Sequence, residues 1–435
     1  MSPRMARFEP AGPLRGDYVP PADKSISHRA ALFGAMSDVP VTIRNYLESA
    51  DTRATLDALL KLGAGVEEEG GSVLVRGVGL HAPLEATGGL LDVGNSGTLM
   101  RLLPGWLAGQ PGGVWTLDGD KSIRRRPVDR IAEPLRAMGA QVDVRDGRFP
   151  PFTVHGARLK GIEYELPVPS AQVKSCVLIA GMLADGSTTV SERGQSRDHT
   201  ERMLRRARVP FERDGGRLTV SQVDELELDE ILVPGDPSSA AFLVAAATLV
   251  SSSRIVLSNV GLNWTRTGFL RIAERMGAVI LGELEEPGAQ ADDEPAGELD
   301  VASAPLEGTV VEPEEVPLAV DELTLVALLG AFADGETVVR GATELRFKET
   351  DRIAAVVEGL RALGADIEET DDGFAVRGDG SPLPGGKIDS RGDHRLAMLG
   401  AVAGLASTDG VDVIDMDAAA ISYPGFERDL RSLVG

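Results

Sequence analysis

Asp23-Lys-Ser-Ile-Ser-His-Arg29 gathers two cations and two hydroxyls directly before the apolar run Ala30 to Met36. Asp23 or Ser25 can cap a helix there, which puts Lys24 and Arg29 in or beside its first turn. A helix N-terminus already carries unpaired N–H groups and a partial positive charge, so added cations make sense only with an anion opposite. Three further stretches have the same character. Asp92-Val-Gly-Asn-Ser-Gly-Thr98 opens a helix bearing Arg101, and its glycines let backbone N–H groups approach an oxyanion closely. Ser170-Ala-Gln-Val-Lys174 places two hydrogen-bonding side chains and a lysine at a helix start, and Arg124-Arg-Arg-Pro127 begins an outer helix with three cations.

Acid and base chemistry concentrates in Lys348-Glu-Thr-Asp-Arg352. At helical spacing Lys348 and Arg352 share a face, with Glu349 between cations that hold it for proton transfer. Asp321 opens a buried helix, and Asp393-His-Arg395 again sets a cation at a helix N-terminus. Each stretch has a plain structural explanation: a solvated cation, a tight glycine turn, a helical ion-pair lattice, or an N-cap for Asp321. Solvation accounts for each cation singly but not for their common register at four or more helix starts. The pattern implies a local positive cleft for a small substrate bearing several phosphates or carboxylates. His199, in Arg197-Asp-His-Thr-Glu201, has no second His or Cys at ligand spacing, so no metal is expected.

The elements that position these residues form a repeat. A polar or glycine-rich loop, an apolar helix, a turn and a β-branched strand recur from near Lys24, Gly94, Ser170, Asp236, Asp321 and Asp393. The strands are Val41 to Arg44, Val114 to Leu117, Thr188 to Val190, Ile255 to Leu257, Thr337 to Val339 and Val411 to Ile414. A spacing of about 70 residues indicates duplication of one supersecondary unit. Second helices end at Gly-Ala steps such as Leu62-Gly63-Ala64 and Leu363-Gly364-Ala365, and hairpins such as Val66 to Val75 and Phe211 to Val220 follow them. Each unit therefore reads βαβαββ. The first helices, such as Ala240 to Val250, are apolar nearly all round and should be buried. The second helices, such as Asp51 to Leu62 and Asp351 to Leu363, should face solvent.

The sixth unit ends with the chain, so its hairpin is expected from Arg7 to Val19. Two domains follow: residues 20–233, and residues 1–19 with 234–435, each of three units and joined by a double linker. A cleft lined by the helix starts would lie between them.

With 435 residues, 43% of them hydrophobic, the chain can bury a sizeable core. It contains no apolar run of about 20 residues, the length of a membrane span, and no signal-peptide pattern follows Arg4 and Arg7. Cys176, the single cysteine, excludes an intrachain disulfide and suits the cytoplasm. A net charge of −23 argues against nucleic-acid or acidic-membrane partners. Glu283 to Asp300 holds eight acidic residues and no Lys or Arg, and reads as a solvated insertion. Trp106, Trp115 and Trp264 mark no exposed apolar patch, which favours a monomer.

These ordered motifs resemble, end to end, the 5-enolpyruvylshikimate-3-phosphate (EPSP) synthase family, the 3-phosphoshikimate 1-carboxyvinyltransferases. The resemblance implies an inside-out α/β barrel: two domains of three βαβαββ repeats with buried parallel helices beneath the sheets. It also implies transfer of the enolpyruvyl group of phosphoenolpyruvate to the 5-hydroxyl of shikimate 3-phosphate without a cofactor. By motif, Lys24, Ser25, Arg29, Ser170, Ala171, Gln172, Arg197, Asp321 and Lys348 would hold shikimate 3-phosphate. Lys24, Gly97, Arg126, Gln172, Arg352 and Arg395 would hold phosphoenolpyruvate, and Asp321 and Glu349 would move protons with Lys24 assisting.

Two departures stand out. Ala22 occupies a position where the family commonly has Gly. The chain reads Ile421-Ser-Tyr-Pro424 where one branch has a phosphoenolpyruvate-binding lysine, a role that is either absent or met elsewhere, with Lys174 as a candidate. Gly97 is the small residue that, by resemblance, leaves room for the inhibitor glyphosate. The sister transferase acting on UDP-N-acetylglucosamine carries a reactive cysteine on the loop corresponding to Asp118 to Ser122, where this chain has none. The alternative from another class is a non-catalytic phosphometabolite-binding protein, which explains the cations but gives Asp321 and Glu349 no role.

Overall fold

The computed structural model describes residues 3–81, 84–85 and 89–434. They form two compact units: Ala22–Val233 with Gln290–Glu294, here the N-terminal unit, and the stretch to Pro21 with Pro234–Ala289 and Pro295 onward, the C-terminal unit.

In the N-terminal unit the helices are α1 (Lys24–Met36), α2 (Ala50–Lys61), α3 (Gly97–Ala108), α4 (Asp129–Ala137), α5 (Ala171–Gly181) and α6 (His199–Arg206). Three four-stranded sheets accompany them, each with its first two strands parallel and a hairpin completing the edge. Glu230–Leu232 lies parallel to Val41–Arg44, which pairs with Ser72–Arg76 and then Gly65–Glu69. The second runs Leu90–Asp92, Val114–Asp118, Phe149–His155, Gln141–Arg145, and the third Glu163–Glu165, Ser187–Ser191, Arg217–Ser221, Phe211–Asp214.

α1, α3 and α5 form the core, because apolar and small residues encircle them and leave no face that prefers water. Their approach is close: a Cβ on Gly105 of α3 would stand 2.4 Å from the Cys176 carbonyl oxygen of α5, so only glycine fits. Gly63 and Gly364, at φ of 100° and 97°, end second helices in the left-handed conformation that the Gly-Ala steps predict.

The C-terminal unit repeats the plan with α7 (Pro237–Leu249), α8 (Gly268–Arg275), α9 (Val316–Ala319), α10 (Leu323–Phe332), α11 (Arg352–Ala362), α12 (His394–Ala406) and α13 (Phe426–Ser432). α7, α10 and α12 pack on one another as its core. Its four-stranded sheets are Arg15–Tyr18, Arg254–Gly261, Ala296–Ala302, Val279–Leu281 and Val310–Val311, Asp334–Val339, Phe374–Asp379, Asp366–Glu369. The sixth sheet has three strands: Gly386–Asp389, Val411–Ile414 and Met5–Phe8.

Three expectations need correction. The N-terminal segment is not a hairpin: Met5–Phe8 pairs antiparallel with Val411–Ile414, while Arg15–Tyr18 runs parallel to Arg254–Leu257 in a different sheet. Gly12 between the two strands signals a turn, but not whether the strands meet each other or separate neighbours. Second helices differ among themselves: α2 turns Arg53, Asp57 and Lys61 to solvent as expected, whereas His199–Leu204 of α6 are all buried. The acidic segment Glu283–Asp300 is solvated at Glu283, Glu286, Asp292, Asp293 and Glu298, as expected, but the rest of it is anchored. Its end belongs to the strand Ala296–Ala302, Glu285 accepts a 3.1 Å hydrogen bond from the Trp264 N–H, and Gln290–Glu294 packs with the N-terminal unit. Net charge alone concealed that arginines elsewhere in the chain partner it. Among the described residues, no helix is long and apolar enough to cross a membrane.

Candidate active site

Side-chain caps start the buried helices. Asp23 accepts from the Ile26 N–H, Ser96 from Leu99 and Ser170 from Val173, so α1, α3 and α5 begin where those residues stand. Hydrogen bonds join the three starts. Gln172 accepts from Arg101 Nη1 at 2.8 Å and donates to Thr98 Oγ1 at 3.1 Å, tying α5 to α3. Arg29 of α1 donates to Thr200 Oγ1 of α6 at 2.9 Å, to Ser175 Oγ of α5 at 3.0 Å and to the Ser25 carbonyl at 3.0 Å. Three adjacent helix N-termini, with their partial positive charges aligned, make an anion-favouring surface.

The sequence candidates of this unit sit on that surface. Ser25, Ser170, Ala171, Gln172 and Arg197 are half-buried around it. Lys24 Nζ lies 2.9 Å from Asp51 Oδ2. Of Arg124, Arg125 and Arg126, two are exposed, Arg124 on Asp118, and only Arg126 turns inward, donating to Asn95 Oδ1 and Ser122 Oγ at 3.0 Å each. The stretch is a short 3-10 turn rather than the start of a longer helix, which is why its three cations diverge. Gly97 faces Arg126: a Cβ there would stand 2.7 Å from Arg126 Nη1.

Electrostatics separates ligand-seeking cations from structural ones. Burial pulls the Arg29 guanidinium down to about 10, opposed by Glu201, Asp23 and Glu294 and reinforced by the Arg197 charge. The repulsion that the Arg197 charge exerts on Arg29 is what an incoming phosphate or carboxylate would relieve. His28 is different. Burial pulls its imidazole down to about 4, so at neutral pH it is an uncharged link between Thr55 and Ser96. Lys174 is not a ligand cation either, contrary to its candidacy for the missing C-terminal lysine. It is fully buried, 2.9 Å from Glu192 and 2.7 Å from Glu201. Burial opposes its charge, but the two carboxylates outweigh it and hold the ammonium protonated.

In the C-terminal unit the candidates converge on Asp321. Its Oδ1 is 3.3 Å from both Lys348 Nζ and Arg352 Nη1, and its Oδ2 is 3.7 Å from Arg395 Nη2. Asp321 does not cap α10, whose preceding residue is Glu322 and which has no side-chain cap. The carboxylate is spent on cations instead. Arg352 reaches further, to Glu349 Oε2 at 2.6 Å and Asp393 Oδ2 at 2.8 Å.

Lys348 and Arg352 do not share a helical face as their spacing suggests. α11 begins only at Arg352, with Asp351 as its cap, and the Lys348 backbone is extended. They meet because the bend before α11 carries Lys348 back to Asp321. Behind them, Asp393 caps α12 through the Arg395 N–H, and Glu322 receives Arg395 Nη1 at 3.3 Å and the Ser238 hydroxyl.

Sequence reasoning did not single out these supporting residues: Asp51, Asn95, Ser175, Thr200 and Glu322. Asn95 stood inside a quoted loop, and Thr200 inside the Arg197–Glu201 motif. Asp51, Ser175 and Glu322 carried no local signal, because their partners are distant in sequence. Among the described residues, no group of three or more His, Cys, Asp or Glu side chains is placed to hold a metal ion.

Comparison with known proteins shows the family. The family model described as EPSP synthase (3-phosphoshikimate 1-carboxyvinyltransferase) matches residues 8–430. The chain is 44% identical over 421 residues to the 3-phosphoshikimate 1-carboxyvinyltransferase of Bacillus subtilis, covering 97% of both chains. It is 47% identical over 426 residues to the enzyme of that name from Acidithiobacillus ferrooxidans, covering 97% of this chain and 96% of the other. A solved structure of EPSP synthase from Acinetobacter baumannii matches with a TM-score of 0.86 at 38% identity, over 99% of this chain and 98% of that one.

Proposed function

The chain belongs to the EPSP synthase family, and we propose that Asp321 and Glu349, assisted by Lys24, move the protons of its reaction. The protein is a transferase that moves the 1-carboxyvinyl group of phosphoenolpyruvate to the 5-hydroxyl of shikimate 3-phosphate, in chorismate and aromatic amino acid biosynthesis. The alternative of a non-catalytic phosphometabolite-binding protein has no support in the comparisons.

The hydroxyl oxygen adds to C2 of phosphoenolpyruvate and loses its proton, while C3 gains one. The tetrahedral intermediate then gives up a proton from C3 and expels phosphate, leaving the enol ether. Every step needs a group that takes or gives a proton beside highly anionic substrates. The observation that carries the assignment is Asp321, one carboxylate in contact with Lys348, Arg352 and Arg395 together. A carboxylate fixed among the cations that bind anionic substrate is placed for proton transfer, with its orientation set before the substrate arrives.

The proposed binding roles follow the motif resemblance. Ser25, Arg29, Ser170, Ala171, Gln172 and Arg197, with Lys24, Lys348 and Asp321, hold shikimate 3-phosphate; the Ala171 contribution is its backbone. Lys24, Gly97, Arg126, Gln172, Arg352 and Arg395 hold phosphoenolpyruvate. The joined starts of α1, α3 and α5 support the first set, and the Gly97–Arg126 approach supports the second. Folding domains of residues 20–233, and of 1–19 with 234–435, fit the changes of compact unit at Pro21 and Val233. A cytoplasmic monomer belongs to this reading, and the burial of Trp106, Trp115 and Trp264 supports the monomer.

Phosphate release by the purified protein, without added metal or nucleotide, tests the reading. Release that requires both shikimate 3-phosphate and phosphoenolpyruvate is expected, along with its loss in an Asp321→Asn variant. An active Asp321→Asn enzyme would remove Asp321 from proton transfer.

A further inference from the structure

Helix α6 is held by charge pairing as well as by the packing of Met203 and Leu204 in the core. His199, Glu201, Arg202, Arg205 and Arg206 make five of its eight residues ionisable, yet His199–Leu204 are buried. Burying such groups is tolerable only when each finds a partner. Two residues of α6 serve the substrate surface: Thr200 receives Arg29 and contacts Ser175, and Glu201 holds Lys174. Others serve Gln290–Glu294, the short acidic strap that packs with this unit.

The strap's contacts are specific. His199 Nδ1 and Glu294 Oε1 are 2.6 Å apart. Arg202 donates to the Asp293 carbonyl at 2.9 Å, and Arg205 to the Ala291 carbonyl at 3.2 Å and Gln290 Oε1 at 3.0 Å. Arg206 reaches Asp293 Oδ1 at 3.1 Å. The pairs differ in exposure. The His199 and Glu294 side chains are 1% and 8% exposed, whereas Asp293 is 74% exposed and its pair with Arg206 is screened by water.

We propose that Gln290–Glu294 is a positioning strap for the shikimate 3-phosphate site, and that Glu294, acting through His199, is its positioning residue. The inference rests on the assignment of Arg29 and Arg197 to that substrate. Glu294 anchors the first residue of α6, the neighbour of Thr200, whose hydroxyl fixes Arg29, and two residues from Arg197. If the anchor is lost, Thr200 and Arg197 shift together, so the effect falls on one substrate.

The test uses the full chain with Glu294→Ala, Glu294→Gln, Asp293→Ala and Arg197→Ala, measuring shikimate 3-phosphate affinity by calorimetry beside kcat and both KM values. Losing a hydrogen bond to a charged group predicts that Glu294→Ala weakens shikimate 3-phosphate binding about tenfold, with phosphoenolpyruvate KM within about twofold. Glu294→Gln keeps an acceptor without the charge and should fall between, and it serves alone if the alanine variant does not fold. Asp293→Ala should match the parent.

Unchanged shikimate 3-phosphate affinity in the Glu294 variants, or equal losses for both substrates, overturns the strap proposal. If Arg197→Ala weakens binding while the Glu294 variants do not, the site assignment survives alone. If Arg197→Ala binds as the parent does, the site assignment fails and the strap proposal with it.

Discussion

Glu349 Oε2 accepts a 2.6 Å hydrogen bond from Arg352 Nη2, and the same guanidinium reaches Asp321 and Asp393. One fully buried arginine therefore fixes both carboxylates proposed to move protons, and a third that caps α12. Burial disfavours its charge, but Asp393, Glu349 and Asp321 outweigh that and raise its affinity for the proton. The cation is permanent, and the carboxylates are held around it.

Glu349→Gln keeps the shape and one acceptor oxygen while removing the proton-transfer function. Turnover is expected to fall about 100-fold or more, the usual contribution of a positioned acid or base. Shikimate 3-phosphate affinity by calorimetry should stay within about twofold, since binding does not require the transfer step. Turnover equal to the parent would take Glu349 out of the chemistry.

Gly97→Ala forces a methyl group to within 2.7 Å of Arg126 Nη1, a guanidinium fixed by Asn95 and Ser122. Arg126 must move, so phosphoenolpyruvate KM should rise about tenfold with shikimate 3-phosphate KM unchanged, as small misplacements near the chemistry cost rate. Inhibition by glyphosate should weaken in the same variant. Steady-state kinetics against both substrates and the inhibitor check this, and a variant as sensitive as the parent would count against the placement.

Lys174→Ala leaves Glu192 and Glu201 buried without their cation. Removing one member of a buried ion pair costs about 3–5 kcal/mol, so denaturant unfolding should show a loss of that size. A stable variant with a raised phosphoenolpyruvate KM would instead restore Lys174 as a ligand cation.

Asp393 predicts a pH dependence. Burial pushes its carboxyl up, but Arg352 outweighs burial and the folded-state value lies below the ordinary one. A depressed carboxyl contributes stability that is present above its unfolded value of about 3.9 and is lost as pH falls through the folded value. Asp393→Asn should be less stable at neutral pH and should lose less stability than the parent on acidification below about pH 4. Equal pH slopes in thermal unfolding of the two proteins would show that Asp393 is not the coupled group.

Much of the fold was legible because its signals are local. Capping residues, glycine-terminated helices and β-branched runs repeat through the chain, and each depends on a few neighbouring residues. The helix-start cations were legible for the same reason: Lys24 directly follows its capping acid Asp23, and Arg395 stands two residues after Asp393.

Tertiary structure decided which way those residues face. Lys174 stands in a helix start like Lys24, but its turn points into the core, where Glu192 and Glu201 wait. Lys348 and Arg352 meet on Asp321 through a bend that spacing could not distinguish from a helix. Glu294 read as solvated charge until α6 supplied His199. Sequence alone determined the repeated elements and the chemical types at their starts, since backbone propensity and capping act over one or two turns. The partner of each buried charge came only from the folded chain, because desolvation penalises an unpaired charge wherever it lies and is satisfied by groups far away in sequence.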